Sequence, residues 1–89
     1  MLIVSYDIQD DRLRSQFNKM LCKNGCVRLQ YSVYEMNNTQ RIIDNLILKI
    51  NEFGLKFEGG DSVIIYEVSS IKVKKYGNAI HRDADIVYL

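Results

Sequence analysis

Cys26-Val27-Arg28-Leu29-Gln30-Tyr31-Ser32-Val33-Tyr34-Glu35-Met36 is the stretch that decides the fold. It alternates with the period of extended chain. Val27, Leu29, Tyr31 and Val33 point one way; Arg28, Gln30, Ser32 and Tyr34 point the other. The run is long enough to break into two strands, although no Gly or Pro marks a break. Read as one strand, it gives the order β-α-β-α-β-β. Read as two, it gives the βαββαβ order of a ferredoxin-like domain, which needs two strands between its helices, plus one strand more.

Working outward, residues 1–7 are β-rich and apolar and predict a buried strand ending at Asp7. Asp10 or Asp11 then offers an N-cap. Leu13, Phe17, Met20 and Leu21 form one apolar stripe of a helix that Gly25 stops. Downstream, Asn37 and Asn38 end the alternation and are expected to cap a second helix. Its stripe is Ile42, Ile43, Leu46, Ile47, Ile50 and Phe53, and Gly54 ends it. Gly59-Gly60 leads into a strand at 62–68. Residues 69–83 are polar and ambiguous, and 84–89 read as a short C-terminal strand or tail.

With 89 residues the chain suits a single domain, 1–89. So short a chain buries a limited share of its surface, so a homodimer is expected. Net charge is +1, so no overall basic excess points to nucleic acid. Any polyanion site must come from local arrangement of the twelve Lys and Arg. Cys22 and Cys26 are two cysteines beside one histidine, too few for a structural zinc site or a disulfide scaffold. They read as reduced thiols in a cytosolic, cytoplasmic protein. The N-terminus lacks a basic leader, and no apolar run approaches membrane-spanning length, so no membrane is expected.

Asp7, Asp10 and Asp11 cluster where the first strand ends. Asp10 and Asp11 are explained by starting the helix. Asp7 precedes the cap and is the candidate metal ligand or general base. One carboxylate holds Mg²⁺ weakly; two copies of Asp7 facing across a twofold axis would supply a pair. Arg28, Ser32 and Tyr34 suit phosphate contacts and stacking, and Arg12, Arg14, Lys19 and Lys23 suit a strand backbone. Taken singly, each of these sets reads first as an ordinary solvated face. Lys72, Lys74 and Lys75 near Tyr76 could touch a phosphate or simply line a loop. His81-Arg82-Asp83 spells a kinase catalytic-loop tripeptide, but the chain is far too short for a kinase.

Tyr6-Asp7-Ile8, then Asp10-Asp11-Arg12-Leu13-Arg14, then Gly25, then Arg28-Leu29-Gln30-Tyr31-Ser32-Val33-Tyr34-Glu35 resemble, in order and spacing, the small CRISPR-associated adaptation protein family. That family has been described both as a metal-dependent endonuclease, or endoribonuclease, and as the scaffold of the spacer integrase. It usually has Phe at the position of Tyr34. The resemblance covers about residues 1–68. It implies an α+β ferredoxin-like sandwich, homodimeric through its sheet faces, with the break in the 26–36 run near Gln30–Ser32. It implies Asp7 as catalytic metal ligand for Mg²⁺ or Mn²⁺, with Arg12, Arg14, Arg28 and Tyr34 near nucleic acid, and Ser32 of the polar stripe is expected to join them.

The leading expectation is therefore a scaffold that binds duplex DNA, the prespacer, and bridges copies of the larger CRISPR integrase. One rival is an active metal-dependent endonuclease cutting RNA or DNA. Another is a ligand-sensing ferredoxin-like regulator, for which no Gly-rich loop is present to build a pocket. The strand at 84–89 is expected either to add to a partner's sheet or to close the chain's own dimer.

Overall fold

The computed structural model describes residues 1–79. The elements run β1 (Leu2–Asp7), α1 (Asp11–Lys23), β2 (Val27–Gln30), β3 (Val33–Met36), α2 (Gln40–Gly54) and β4 (Ser62–Glu67). A single 3₁₀ turn, Ser70–Lys72, follows. The eleven-residue run is thus two strands, broken at Tyr31-Ser32, and the ferredoxin-like order holds. The strand expected at 84–89 lies outside the described residues, as does His81-Arg82-Asp83.

The strands form one sheet in the order β2-β3-β1-β4. Each neighbouring pair is antiparallel, with Val4 opposite both Tyr34 and Ile65. Both helices pack on one face. There Leu2, Val4, Tyr6, Tyr34 and Met36 meet Leu13, Phe17 and Leu21 of α1 and Ile43, Leu46 and Ile50 of α2. Phe17 is the hub of this layer. Its ring lies edge-on to Tyr6 at 4.9 Å and to Phe53 at 5.4 Å between centroids.

The helix ends follow local chemistry. Asp10 caps α1, its Oδ2 accepting from Leu13 N at 2.8 Å. At the other end, Cys26 N donates to Leu21 O and Gly25 N to Cys22 O. This is a Schellman closure, with Gly25 at φ 92°. The second helix starts at Thr39 instead of Asn37 or Asn38, and Asn38 Oδ1 accepts from Thr39 N at 2.8 Å. Asp61 ties two loops together: its carboxylate accepts from Gln9 N at 2.8 Å and Glu58 N at 3.0 Å. Those two donors hold the carboxyl below its ordinary pKa.

Among the described residues, no α-helix covers the opposite face of the sheet. Ile3, Ser5 and Asp7 of β1 alternate with the core residues Leu2, Val4 and Tyr6. Registered beside them are Val33 and Glu35 of β3 and Ile64 and Tyr66 of β4. Residues 73–79 cross part of this face, where Val73, Lys75, Tyr76 and Ala79 line a hollow with Ile3, Leu29 and Val33. Lys75, expected in a solvated loop or on a phosphate, instead ion-pairs with the buried Glu35. The β4 side stays bare, with Ile64 52% and Tyr66 48% exposed.

Candidate nucleic-acid interface and metal position

Asp7 ends an interior strand, opposite Ser62 in register, and is exposed. Its parity puts it on the open face, one residue past the buried Tyr6. Gln9 Nε2 donates to its Oδ1 at 3.0 Å. The neighbouring acids are committed elsewhere: Asp10 caps α1, and Asp11 pairs with Arg14. Among the described residues no group of three or more His, Cys, Asp or Glu side chains sits together. Among the described residues Asp7 therefore meets a metal as an exposed carboxylate outside any cluster of three or more ligating side chains. That donor set suits a hydrated ion only if a second carboxylate joins from outside the chain.

Of the basic residues, the fold brings Arg14 and Arg28 together. Both lie near enough to the Tyr6 hydroxyl to favour its ionised form. Burial nevertheless dominates and raises the Tyr6 pKa. Arg14 comes from α1 and donates to Ile8 O at 3.0 Å, which pins the guanidinium beside the end of β1. Arg28 comes from the edge strand β2. Its Nε donates to Gln30 O at 3.3 Å and its Nη2 to Tyr31 O at 3.2 Å. Ser32 is half-buried at the β2–β3 turn, its carbonyl accepting from Tyr6 N at 3.1 Å. Arg12 lies apart. Two positions from Arg14, it faces another side of α1. It lines a hollow of about 470 Å³ with Gln9, Lys56 and Glu58.

The position of Tyr34 differs from the surface stripe expected from alternation. It is 2% exposed, within the helix-covered core, with its ring stacked on Tyr6 at 6.2 Å between centroids. Alternation sets which residues share a face, and Arg28 does pair with Tyr34 across the hairpin. It does not say which face the helices cover. Arg28 reaches solvent because β2 is the edge strand; Tyr34, one strand inward, cannot. Burial pushes the Tyr34 hydroxyl up to about 12, with the nearby Tyr6 and Cys22 adding to the effect. Burial likewise pushes the Cys26 thiol up to about 11, which suits an unreactive core thiol.

Sequence reading missed Tyr31. The alternation groups it with the apolar residues, yet it sits in the turn between β2 and β3 and is 71% exposed. The Arg28 guanidinium lies over its ring, 5.0 Å from the centroid. The only sequence signal for this was its place beside the implied strand break.

A four-stranded antiparallel sheet with two helices on one face, and Arg28 on the β2 edge strand, defines a ferredoxin-like α+β protein. The family model described as CRISPR associated protein Cas2 matches residues 1–76, and the chain belongs to that family. It is similar to a protein of Synechocystis sp. (strain ATCC 27184 / PCC 6803 / Kazusa) named CRISPR-associated endoribonuclease Cas2 2. The two are 28% identical over 85% of this chain and 83% of the relative. Among solved structures, one of a hypothetical protein from Thermus thermophilus matches with a TM-score of 0.67 and 30% identity, over 85% of this chain and 88% of that one. A crystal structure of a Cas2 matches in fold with a TM-score of 0.65 at 23% identity, over 85% and 84% of the two chains. Family membership ties the chain to CRISPR-related function. No helix among the described residues is long and apolar enough to cross a membrane.

Proposed function

We propose that the chain is the dimeric scaffold of a spacer-acquisition complex, holding duplex DNA and bridging copies of the larger CRISPR integrase in the cytoplasm. The observation that carries this reading is the bare β4 side of the open face. Ile64 and Tyr66 stand half-exposed there, on the same face as Asp7. Apolar surface of this kind is what a second copy would cover. Duplex contacts then fall to Arg14, Arg28 and Ser32 at the hairpin edge, with Arg12 further along α1. Tyr34 supports this edge from beneath.

The test joins self-association to binding. Light scattering is expected to give a dimer for the native chain and a monomer for the Ile64→Lys/Tyr66→Lys variant. Duplex binding is expected to fall with salt and to weaken in the monomeric variant and in Arg14→Glu, alike for all sequences. A native monomer that binds duplex unchanged would defeat the proposal.

A second reading has its own support: the Synechocystis relative is named an endoribonuclease, and Asp7 is an exposed carboxylate at a strand end. In that reading Asp7 and its twofold mate hold Mg²⁺ or Mn²⁺, which activates water for phosphodiester cleavage. Asp7→Asn keeps the shape and removes the charge. Cleavage is expected to stop in this variant and in EDTA; equal rates in the variant would remove Asp7 from the chemistry.

A further inference from the structure

We infer that Tyr31 is a stacking platform for one unpaired nucleobase, with Arg28 beside it for a flanking phosphate. The inference rests on the nucleic-acid reading above and adds to it a preference for unpaired over paired bases. The β2–β3 tip is a two-residue connection, with Gln30 opposite Val33. Such tips usually rely on positive φ, yet no residue here other than glycine has one. Arg28 takes over the work, donating from its guanidinium to the Gln30 and Tyr31 carbonyls at the tip.

The same guanidinium covers one face of the Tyr31 ring. The ring is thus held in place from below while most of its surface stays in water. A tyrosine fixed in this way loses little freedom when a base stacks on its other face. Arg28 spends two of its five N–H donors on the turn, leaving donors for a phosphate. An exposed ring backed by a guanidinium with donors to spare matches the stacking-plus-backbone scheme by which proteins hold single strands. Paired bases in a duplex keep their faces stacked on each other and gain nothing from the ring.

The experiment uses oligonucleotides carrying 2-aminopurine: a single strand of DNA, the same strand in RNA, a blunt duplex, and a duplex with an unpaired tail on one strand. The full chain is expected to quench the fluorophore in single strands and in the tail, and not in the blunt duplex. Tyr31→Phe should keep the quenching. Tyr31→Ala should abolish it and weaken binding of the tailed duplex about tenfold, while blunt-duplex affinity and thermal stability stay unchanged. DNA and RNA arms that respond alike support stacking as the source. Equal quenching and affinity in Tyr31→Ala and the native chain, with duplex binding intact, would overturn the inference alone. Failure of the native chain to bind any of the four probes would overturn the nucleic-acid reading itself.

Discussion

The two faces of the sheet are made from the same strands and are finished to different degrees. On the helix-covered face Leu2, Val4, Tyr6, Tyr34 and Met36 are all buried, and α1 and α2 close over them. On the other face only the β1–β3 side is shielded, by residues 73–79 and the Glu35–Lys75 pair, and the β4 side lies bare. The stability of the isolated chain therefore resides on the first face. The second is available for assembly because the first does not depend on it.

The largest effect expected from breaking this contrast lies at Phe17. Phe17→Ala should cost about 3–5 kcal/mol, because three aromatic rings, Tyr6, Phe53 and Phe57, lose their common neighbour. Denaturant melts will check this; a loss under 1 kcal/mol would mean that the helix face is not where the stability resides. The open face should give a smaller response. Glu35→Gln leaves Lys75 without its carboxylate in a mostly buried site and should cost about 1.5–3 kcal/mol. The paired change Glu35→Leu/Lys75→Met should restore most of that, and thermal melts of the three proteins decide it.

The smallest effect is invisible at neutral pH. Tyr34 has a folded pKa of about 12 against an ordinary 10.0. Its hydroxyl is protonated in both states below pH 10, so the stabilisation is fully present there. It drains away as pH rises from 10 towards 12, because the unfolded chain ionises first. Phenolate absorbance should show the buried pair Tyr6 and Tyr34 ionising above the ordinary tyrosine value of 10.0. Ionisation of that pair at the ordinary value would show that the helix face is open to water.

Most of the element order was readable because it follows from local rules. The stripes of α1 and α2, the Asp10 cap and the Gly25 stop need no tertiary knowledge. The split of the 26–36 run did not come from residue patterns, and the reason is visible at Arg28. A hairpin tip normally marks itself with glycine or asparagine at positive φ. Here an arginine side chain three residues away satisfies the carbonyls, so the sequence carries no turn signal. The resemblance to a family supplied the break instead. Tyr34 shows a second limit. Its partner in parity, Arg28, was correct, but the side that the helices cover depends on chain crossover, which alternation does not encode. Lys75 shows a third, since a polar segment looks alike whether it waves in solvent or crosses a sheet. For the site, Asp7, Arg14 and Arg28 were legible as residues, and their division into an open-face carboxylate and an edge cluster was not.

The strand order has a consequence for synthesis. β1 is interior, yet it is made first, and its β4 edge is paired last: Met1 and Val68, bonded to each other at 2.9 Å, lie 67 positions apart. At roughly 5–20 residues per second, a ribosome takes roughly 3–13 s to cover that distance. The β2–β3 hairpin emerges partway through and can occupy one edge of β1. The other edge of Leu2-Ile3-Val4-Ser5-Tyr6 waits unpaired for the whole interval, beside nascent neighbours on the same message with the identical segment. Slowing translation anywhere between β1 and the end of β4 lengthens that wait, so slow codons across this interval are expected to lower the soluble yield.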